Sequence, residues 1–261
     1  MIKAVFFDID GTLVSFKTHA VPQSTLDAIA ELRKRNIKIF LATGRLITQT
    51  QVVDRIEFDG YITLNGCCCL AGDRRTIIHH DLIPQCDLET IVDYLEREGN
   101  PFPCSFMDDH HTTINFVDDR VREVWGAIDI PVPQVEDPRT TIKRDIYQAN
   151  IYVDPDQDQH IIDTLFKHCE SSRWHPMFAD INRRGVSKRS GIDHLLEYYG
   201  IPLDQTMAFG DGGNDIQMLE HVHLGVAMGN AVDSAKQAAD YVTDPVDDDG
   251  ISNALYRLGV L

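Results

Sequence analysis

Positive charge is scarce in this chain. Its 261 residues carry 24 Lys and Arg against 41 Asp and Glu, a net charge of −17. Nucleic acid wants a basic patch to neutralise its phosphates, so it is not an expected partner. Long hydrophobic runs are also missing. None approaches the ~18 residues that span a bilayer, so no membrane partner is expected. The opening "MIKAVFFDIDGT" does not read as an export leader, because its apolar run is short and carries acids. Cysteines number six, and Cys67, Cys68 and Cys69 are consecutive. That spacing suits neither a zinc site nor a disulfide framework, and we read the three as small apolar strand residues. A reducing, cytoplasmic location is the expectation. A small phosphorylated substrate remains compatible with this acidity, given local positive charge or a bound cation.

What is present is an alternation of strands and helices. Residues 3–9 read as a buried strand, "PQSTLDAIAELRKRN" as a helix and "IKIFLA" as a second strand. "TGR" then leads into a further helical stretch to about Ile56, and "GYITLNG" reads as a third strand. Continuous apolar strands separated by helices predict a parallel sheet covered on both faces. The pattern resumes after residue 181. "SKRSGIDHLLEYYG" reads as a helix, "TMAFGDGGNDIQMLEHV" as strand, Gly-rich turn and helix, and short strands and helices complete the chain.

The middle differs. Between residues 82 and 181, helical stretches at 85–98 and 157–169 accompany four alternating strand segments, with the proline-rich "IPVPQVEDPR" joining the halves. The expected fold class is α/β: a Rossmann-like core of residues 1–81 and 182–261, with a smaller α+β domain of residues 82–181 inserted. The paired crossings near 80–84 and 181–186 are where a lid would hinge.

The chemistry-bearing residues sit at strand ends. Asp8 and Asp10 are two apart, so on a strand they face the same way, at the rim where open α/β sheets bind ligands. An Asp-Gly turn explains Asp10 and Gly11 but leaves Asp8 without a reason. "GDGGNDIQML" repeats the arrangement: Asp211 ends an apolar run, glycines turn the chain, and Asn214 and Asp215 open a helix. Hard oxygen donors without a matching His or Cys cluster point to Mg²⁺. In "LATGR", Thr43 and Gly44 precede what reads as a helix start, an anion site by virtue of its free N–H groups. Lys188, in "SKRSG", offers an ammonium for a phosphate.

In this order, "DIDGT", "ATGR", "SKRSG" and "FGDGGNDIQML" resemble the four motifs of the haloacid-dehalogenase superfamily of phosphohydrolases. The long insert between the second and third motifs, together with "TLNG" at 63–66, is similar to the Cof-type subfamily with its type IIB cap, which includes sugar-phosphate phosphatases. The resemblance implies a Mg²⁺-dependent phosphomonoester hydrolase for small phosphorylated metabolites, sugar (hexose) phosphates above all. It implies Asp8 as nucleophile forming an aspartyl-phosphate, and Asp10 as general acid and then base. It places the metal on the Asp8 carboxylate, the Asp10 backbone carbonyl and Asp211, with Asn214 and Asp215 in support. Thr43, Gly44 and Lys188 would hold the phosphoryl group.

The inserted region has candidates but no motif. "SFMDDHHTTINF" and "RWHPMFADI" offer His110, Arg173, His175 and Asp180 as polar groups for a sugar. His110 and His111 are adjacent, and side chains adjacent on a strand point to opposite faces, which argues against a shared metal. Two other readings stand beside the hydrolase. One is a phosphomutase or other phosphotransferase on sugar phosphates. The other is a non-catalytic, receiver-like phosphate-binding protein, which would need neither Asp10 nor an insert of about 100 residues.

Overall fold

A computed structural model describes residues 1–261, except for the side chain of Trp174. The first segment runs β1 (Ala4–Phe7), α1 (Gln23–Lys34), β2 (Lys38–Ala42) and β3 (Gly60–Thr63), followed by β4 (Cys68–Ala71) and β5 (Ile77–His80). The middle segment holds α2 (Gln85–Arg97), β6 (Cys104–Met107), β7 (Thr112–Ile114), α3 (Asp119–Ala127), β8 (Gln134–Val135), α4 (Pro138–Thr141), β9 (Gln148–Ile151), α5 (Asp158–Leu165), β10 (Cys169–His175) and β11 (Phe178–Arg183). The last segment supplies α6 (Lys188–Tyr199), β12 (Thr206–Gly210), α7 (Ile216–His221), β13 (Leu224–Ala227), α8 (Asp233–Ala238), β14 (Tyr241–Val242) and α9 (Gly250–Arg257). Two compact units result: Met1–His80 with Ser187–Leu261, and Asp81–Val186.

The first unit is built on an eight-stranded sheet in the order β14-β13-β12-β1-β2-β3-β4-β5. All neighbours from β14 to β3 are parallel, and β4 and β5 add antiparallel strands at one edge. β1 lies between β12 and β2, with Phe7 level with Phe209 and with Leu41. Every residue of β1 is buried, as a strand covered on two faces requires. Phe6 stacks on Phe40 at 4.8 Å and Phe7 on Phe209 at 5.2 Å, so aromatic pairs tie the central strands together. This rigid centre is the mount for the residues that follow β1 and β12.

The second unit is a six-stranded sheet in the order β10-β11-β9-β6-β7-β8, antiparallel except for the β7–β8 pair. Alternation divides its faces. Phe106, Ala149, Ile151 and Ile181 join Leu88, Ile91 and Leu95 of α2 and Ile161 and Ile162 of α5 in one apolar core. Ser105, Gln148, Asn150, Asp180 and Asn182 alternate with those residues and lie buried on the other face. Among the described residues, no helix is long and apolar enough to cross a membrane.

The α/β class with an inserted α+β unit is as expected, and three local expectations change. The helical stretch after "TGR" is two short 3-10 turns, Ile47–Gln49 and Gln51–Val53. The strand read over 60–66 stops at Thr63, because Leu64, Asn65 and Gly66 all adopt positive φ. The proline-rich joint is preceded by α3, whose Asp118 side chain caps it by accepting from Val121 N–H. Only Val121, Val124 and Trp125 of α3 are buried, a stripe too short to stand out as a helical period.

Candidate active site

β1 ends at Phe7, and Asp8 follows it at the parallel sheet's C-terminal rim. Its neighbour β12 ends at Gly210, and Asp211 follows in the same way. Parallel pairing of the two strands therefore sets the two acids side by side. Asp215, from the turn after β12, completes a trio of carboxylates whose nearest oxygens lie within 4.8 Å of one another. Gly11 is essential to this closeness. Its φ is +83°, and an added Cβ would fall 2.2 Å from Asp211 Oδ2. Thr12 Oγ1 donates to Asp211 Oδ1 at 3.1 Å.

Lys188 enters the trio from the start of α6. Its Nζ donates to Asp8 Oδ1 and to Asp215 Oδ1, each at 2.6 Å. The lysine is fully buried, as a compact ammonium can be only when paired. Asp215 is held on its other oxygen by the N–H groups of Asp211 and Gly212, both at 2.9 Å. Two features fix the start of α6. Ser187 N–H donates to Ser190 Oγ at 3.0 Å. Gly66, at φ +108°, packs so closely that a Cβ would meet the Ser187 carbonyl oxygen at 2.2 Å. "TLNG" is thus a seat for the segment that carries Lys188.

The electrostatics follow from burial. Desolvation raises the Asp8 carboxyl to about 7 against the opposing pull of Lys188. Desolvation and the charge of Asp8 raise Asp211 well above the usual carboxylate range. Burial pulls Lys188 down, but Asp215 and Asp8 outweigh it and hold the ammonium above its ordinary value. Asp8, Asp211 and Asp215 converge closely enough to hold a cation. All the donors are oxygen, which fits Mg²⁺ rather than a softer ion.

Thr43 and Gly44 follow β2, which pairs with β1, but no α-helix begins there. Thr43 Oγ1 instead accepts from Arg45 N–H at 3.1 Å. The local turn is closed by a side chain rather than by helical N–H groups, so the helix-start reading is replaced by a hydroxyl-capped turn. Asn214 Nδ2 donates to Asn65 Oδ1 at 2.9 Å, linking the two loops.

The Asp10 carboxylate is engaged by a side chain from the turn after β2. Arg45 holds it with Nε to Oδ2 at 2.8 Å and Nη2 to Oδ1 at 2.5 Å. This planar, two-point grip fixes the direction of the Asp10 carboxylate. Arg45, Asn65 and Thr12 were not among the sequence candidates. All three stand inside quoted motifs, "ATGR", "TLNG" and "DIDGT", but only the fold shows which atoms they hold.

The candidates in the inserted unit separate. Arg173 is committed to its own unit. It pairs with both oxygens of Asp158, at 2.6 and 2.5 Å, and donates to the carbonyls of Pro176 and Val153. A guanidinium so engaged anchors β10 to α5. His110 and His111 lie in a turn, not a strand, and their N–H groups donate to Asp108 Oδ1 at 2.8 and 2.6 Å. His175 Nδ1 accepts from Met177 N–H at 3.3 Å, and burial lowers its pKa. Asp180 is the acid of the polar sheet face, accepting from Gln148 Nε2 at 3.2 Å and Asn150 Nδ2 at 2.5 Å.

A buried carboxylate–lysine array at the rim of a parallel sheet, in a chain interrupted by an α+β unit, defines a phosphatase of a recognisable kind. The family described as haloacid dehalogenase-like hydrolase matches residues 5–255, and the chain belongs to it. It is 32% identical to "Putative phosphatase YkrA" of Bacillus subtilis (strain 168), over 99% of this chain and 98% of that one. The solved structure of the HAD subclass IIB sugar phosphatase BT4131 is 37% identical with a TM-score of 0.92, covering 99% of this chain and all of its own. The phosphatase BT1666 from Bacteroides thetaiotaomicron is 36% identical with a TM-score of 0.91, covering 100% of this chain and 96% of its own.

Proposed function

We propose that the chain is a Mg²⁺-dependent phosphomonoesterase for small sugar phosphates, hexose phosphates first, acting through an aspartyl-phosphate on Asp8. The observation that carries this reading is the buried Asp8–Lys188–Asp215 array with Asp211 beside it. The Asp8 and Asp211 carboxylates and the Asp10 carbonyl would hold Mg²⁺, with Asn214 and Asp215 in support. The bound ion would offset the negative charge of phosphate and carboxylates.

In the first half-reaction an Asp8 oxygen attacks phosphorus and the ester P–O bond breaks. The departing oxygen takes the proton of the Asp10 carboxyl, so the alcohol leaves neutral. In the second, the Asp10 carboxylate accepts a proton from water, the water oxygen attacks phosphorus, and the Asp8–phosphorus bond breaks to give inorganic phosphate. Arg45 aims the Asp10 carboxyl for both transfers and must loosen its two-point grip when that carboxyl is protonated. Lys188 and the Thr43 hydroxyl hold phosphoryl oxygens, where charge spreads during transfer. The sugar substrate is supported by the subclass IIB sugar phosphatase, alike over its whole length.

Phosphate release from a panel of sugar and nucleotide monophosphates with Mg²⁺ tests the proposal. We expect hexose phosphates to lead the panel, and Asp8→Asn to lower turnover below about 10⁻⁴ of the parent, since an amide does not attack phosphorus. Near-normal rates in that variant would sink the covalent route. An isomeric sugar phosphate formed without free phosphate would replace hydrolysis with intramolecular transfer.

A further inference from the structure

The inserted unit holds a second group of ligand-type side chains that the hydrolysis does not use. Cys86 and Asp87 lie in the first turn of α2, while His168 and Cys169 lie where β10 begins. Asp87 is buried, with only 3% of its surface exposed. Its Oδ2 is occupied: the His168 N–H donates to it at 2.8 Å and the Cys169 thiol at 3.4 Å. These two contacts turn Oδ1 the other way. There it meets His168 Nδ1 at 2.9 Å and Cys86 Sγ at 3.7 Å, and Cys86 Sγ lies 3.7 Å from His168 Nδ1.

We propose that Cys86, Asp87 and His168 form a Zn²⁺ site, coordinating through Sγ, Oδ1 and Nδ1 with a fourth position for water. The separations carry the assignment. Tetrahedral zinc, with bonds of about 2.3 Å to sulfur and about 2.1 Å to nitrogen or oxygen, sets sulfur about 3.6 Å from each of the other ligands and nitrogen about 3.4 Å from oxygen. Both sulfur distances match as they stand. The nitrogen–oxygen pair is closer because it is hydrogen-bonded, and it opens by about half an ångström when the ion replaces the hydrogen. Binding releases the Cys86 thiol proton and leaves the imidazole protonated on Nε2, so charge and protons balance.

The donors also differ from those of the first unit. A thiolate, an imidazole and one carboxylate suit zinc, whereas two carboxylates and a backbone carbonyl suit magnesium. Asp87 is already oriented by the His168 N–H and Cys169, as metal-binding carboxylates are by groups behind them. Cys86 is exposed and the His168 side chain is 61% exposed, so the ion reaches both without unfolding. The site would clip the start of α2 to the start of β10, two elements that pack on one apolar core.

The test uses the full chain, stripped of metal and then held in excess Mg²⁺ so that the carboxylate trio is occupied. Co²⁺ is titrated as a spectroscopic stand-in, then displaced with Zn²⁺. We expect a sulfur-to-cobalt charge-transfer band that saturates at one equivalent and is lost on adding Zn²⁺. Cys86→Ser should remove the band, His168→Gln should weaken Zn²⁺ binding about 100-fold, and Asp8→Asn should leave the band in place. Absence of the band, or a band that survives Cys86→Ser, overturns the proposal. Circular dichroism on each variant separates lost binding from lost folding, and His168→Gln carries the test if Cys86→Ser does not fold.

Discussion

The two units bury polar groups by opposite means. In the first, charge is buried: Lys188, Asp8 and Asp215 are each less than a tenth exposed and meet from three distant segments. On the polar sheet face of the second, the buried groups are mostly neutral amides and a hydroxyl around one acid. Asn182 Nδ2 donates to Gln148 Oε1 at 3.0 Å, and Ser105 Oγ to Asn150 Oδ1 at 3.0 Å, with Asp180 accepting from Gln148 and Asn150. The difference follows from the sheets. Parallel strands end together at one rim, so the acids after β1 and β12 come out side by side. Antiparallel strands put alternate side chains on one face, so β9 and β11 lay Asn150 directly beside Asp180. One arrangement concentrates charge for a reaction. The other lines a buried sheet face with hydrogen-bonding groups that satisfy one another.

The sharpest way to break this comparison is to remove the fully buried lysine. Lys188→Met leaves two desolvated carboxylates facing each other. Stripping one partner from a buried ion pair costs about 3–5 kcal/mol, so the metal-free variant should unfold at much lower denaturant. Added Mg²⁺ should recover part of that loss if the carboxylates hold it. Turnover should fall at least about 10²-fold on every phosphate ester, aryl or sugar, because in the proposed mechanism the lysine holds the phosphoryl group common to all. An unchanged unfolding midpoint without Mg²⁺ would mean that the buried charges do not depend on one another.

A smaller effect is expected from the amide-rich face. Asp180→Asn replaces a double acceptor with a group that also donates, so one amide of Gln148 or Asn150 loses its partner. The expected cost is about 1–3 kcal/mol in unfolding free energy. KM for the preferred sugar phosphate should rise while kcat/KM for nitrophenyl phosphate changes by less than about threefold. An equal loss on both substrates would place Asp180 with the groups that serve the chemistry and erase the contrast between the units.

How far the sequence could be read divides along the same line. Asp8, Asp211, Asp215 and Lys188 were legible because each stands at the end of an apolar run or at a helix start, where position alone predicts direction. Arg45 was not, since nothing in "ATGR" shows that its guanidinium reaches back to Asp10 across 35 residues. In the inserted unit, alternation predicted the strands but not the partner of a given polar side chain. Arg173 and Asp180 looked equally suited to a ligand, yet one is locked to Asp158 and backbone carbonyls while the other joins a network of amides. Cys86 and His168 are 82 residues apart, so their approach is a property of the fold and of no local pattern.

The smallest expected effect tests whether the edge strands of the first unit share in its electrostatics. β4 and β5 are joined by a turn in which Asp73 accepts from Arg75 N–H at 2.9 Å, Thr76 N–H at 2.8 Å and Thr76 Oγ1 at 2.7 Å. The Thr76 N–H and hydroxyl and the Arg75 N–H lower the Asp73 carboxyl from 3.8 to about 2. A carboxyl depressed in the folded state stabilises it above the unfolded value of 3.8, and that contribution fades as pH falls through about 2. Asp73→Ala should therefore lower the unfolding midpoint slightly at neutral pH, with parent and variant converging as pH drops from about 4 towards 2. Activity should not change, because the turn is remote in chain and contact from the carboxylate trio. A difference that persists undiminished at the acid end would show that Asp73 acts through turn geometry and not through its charge.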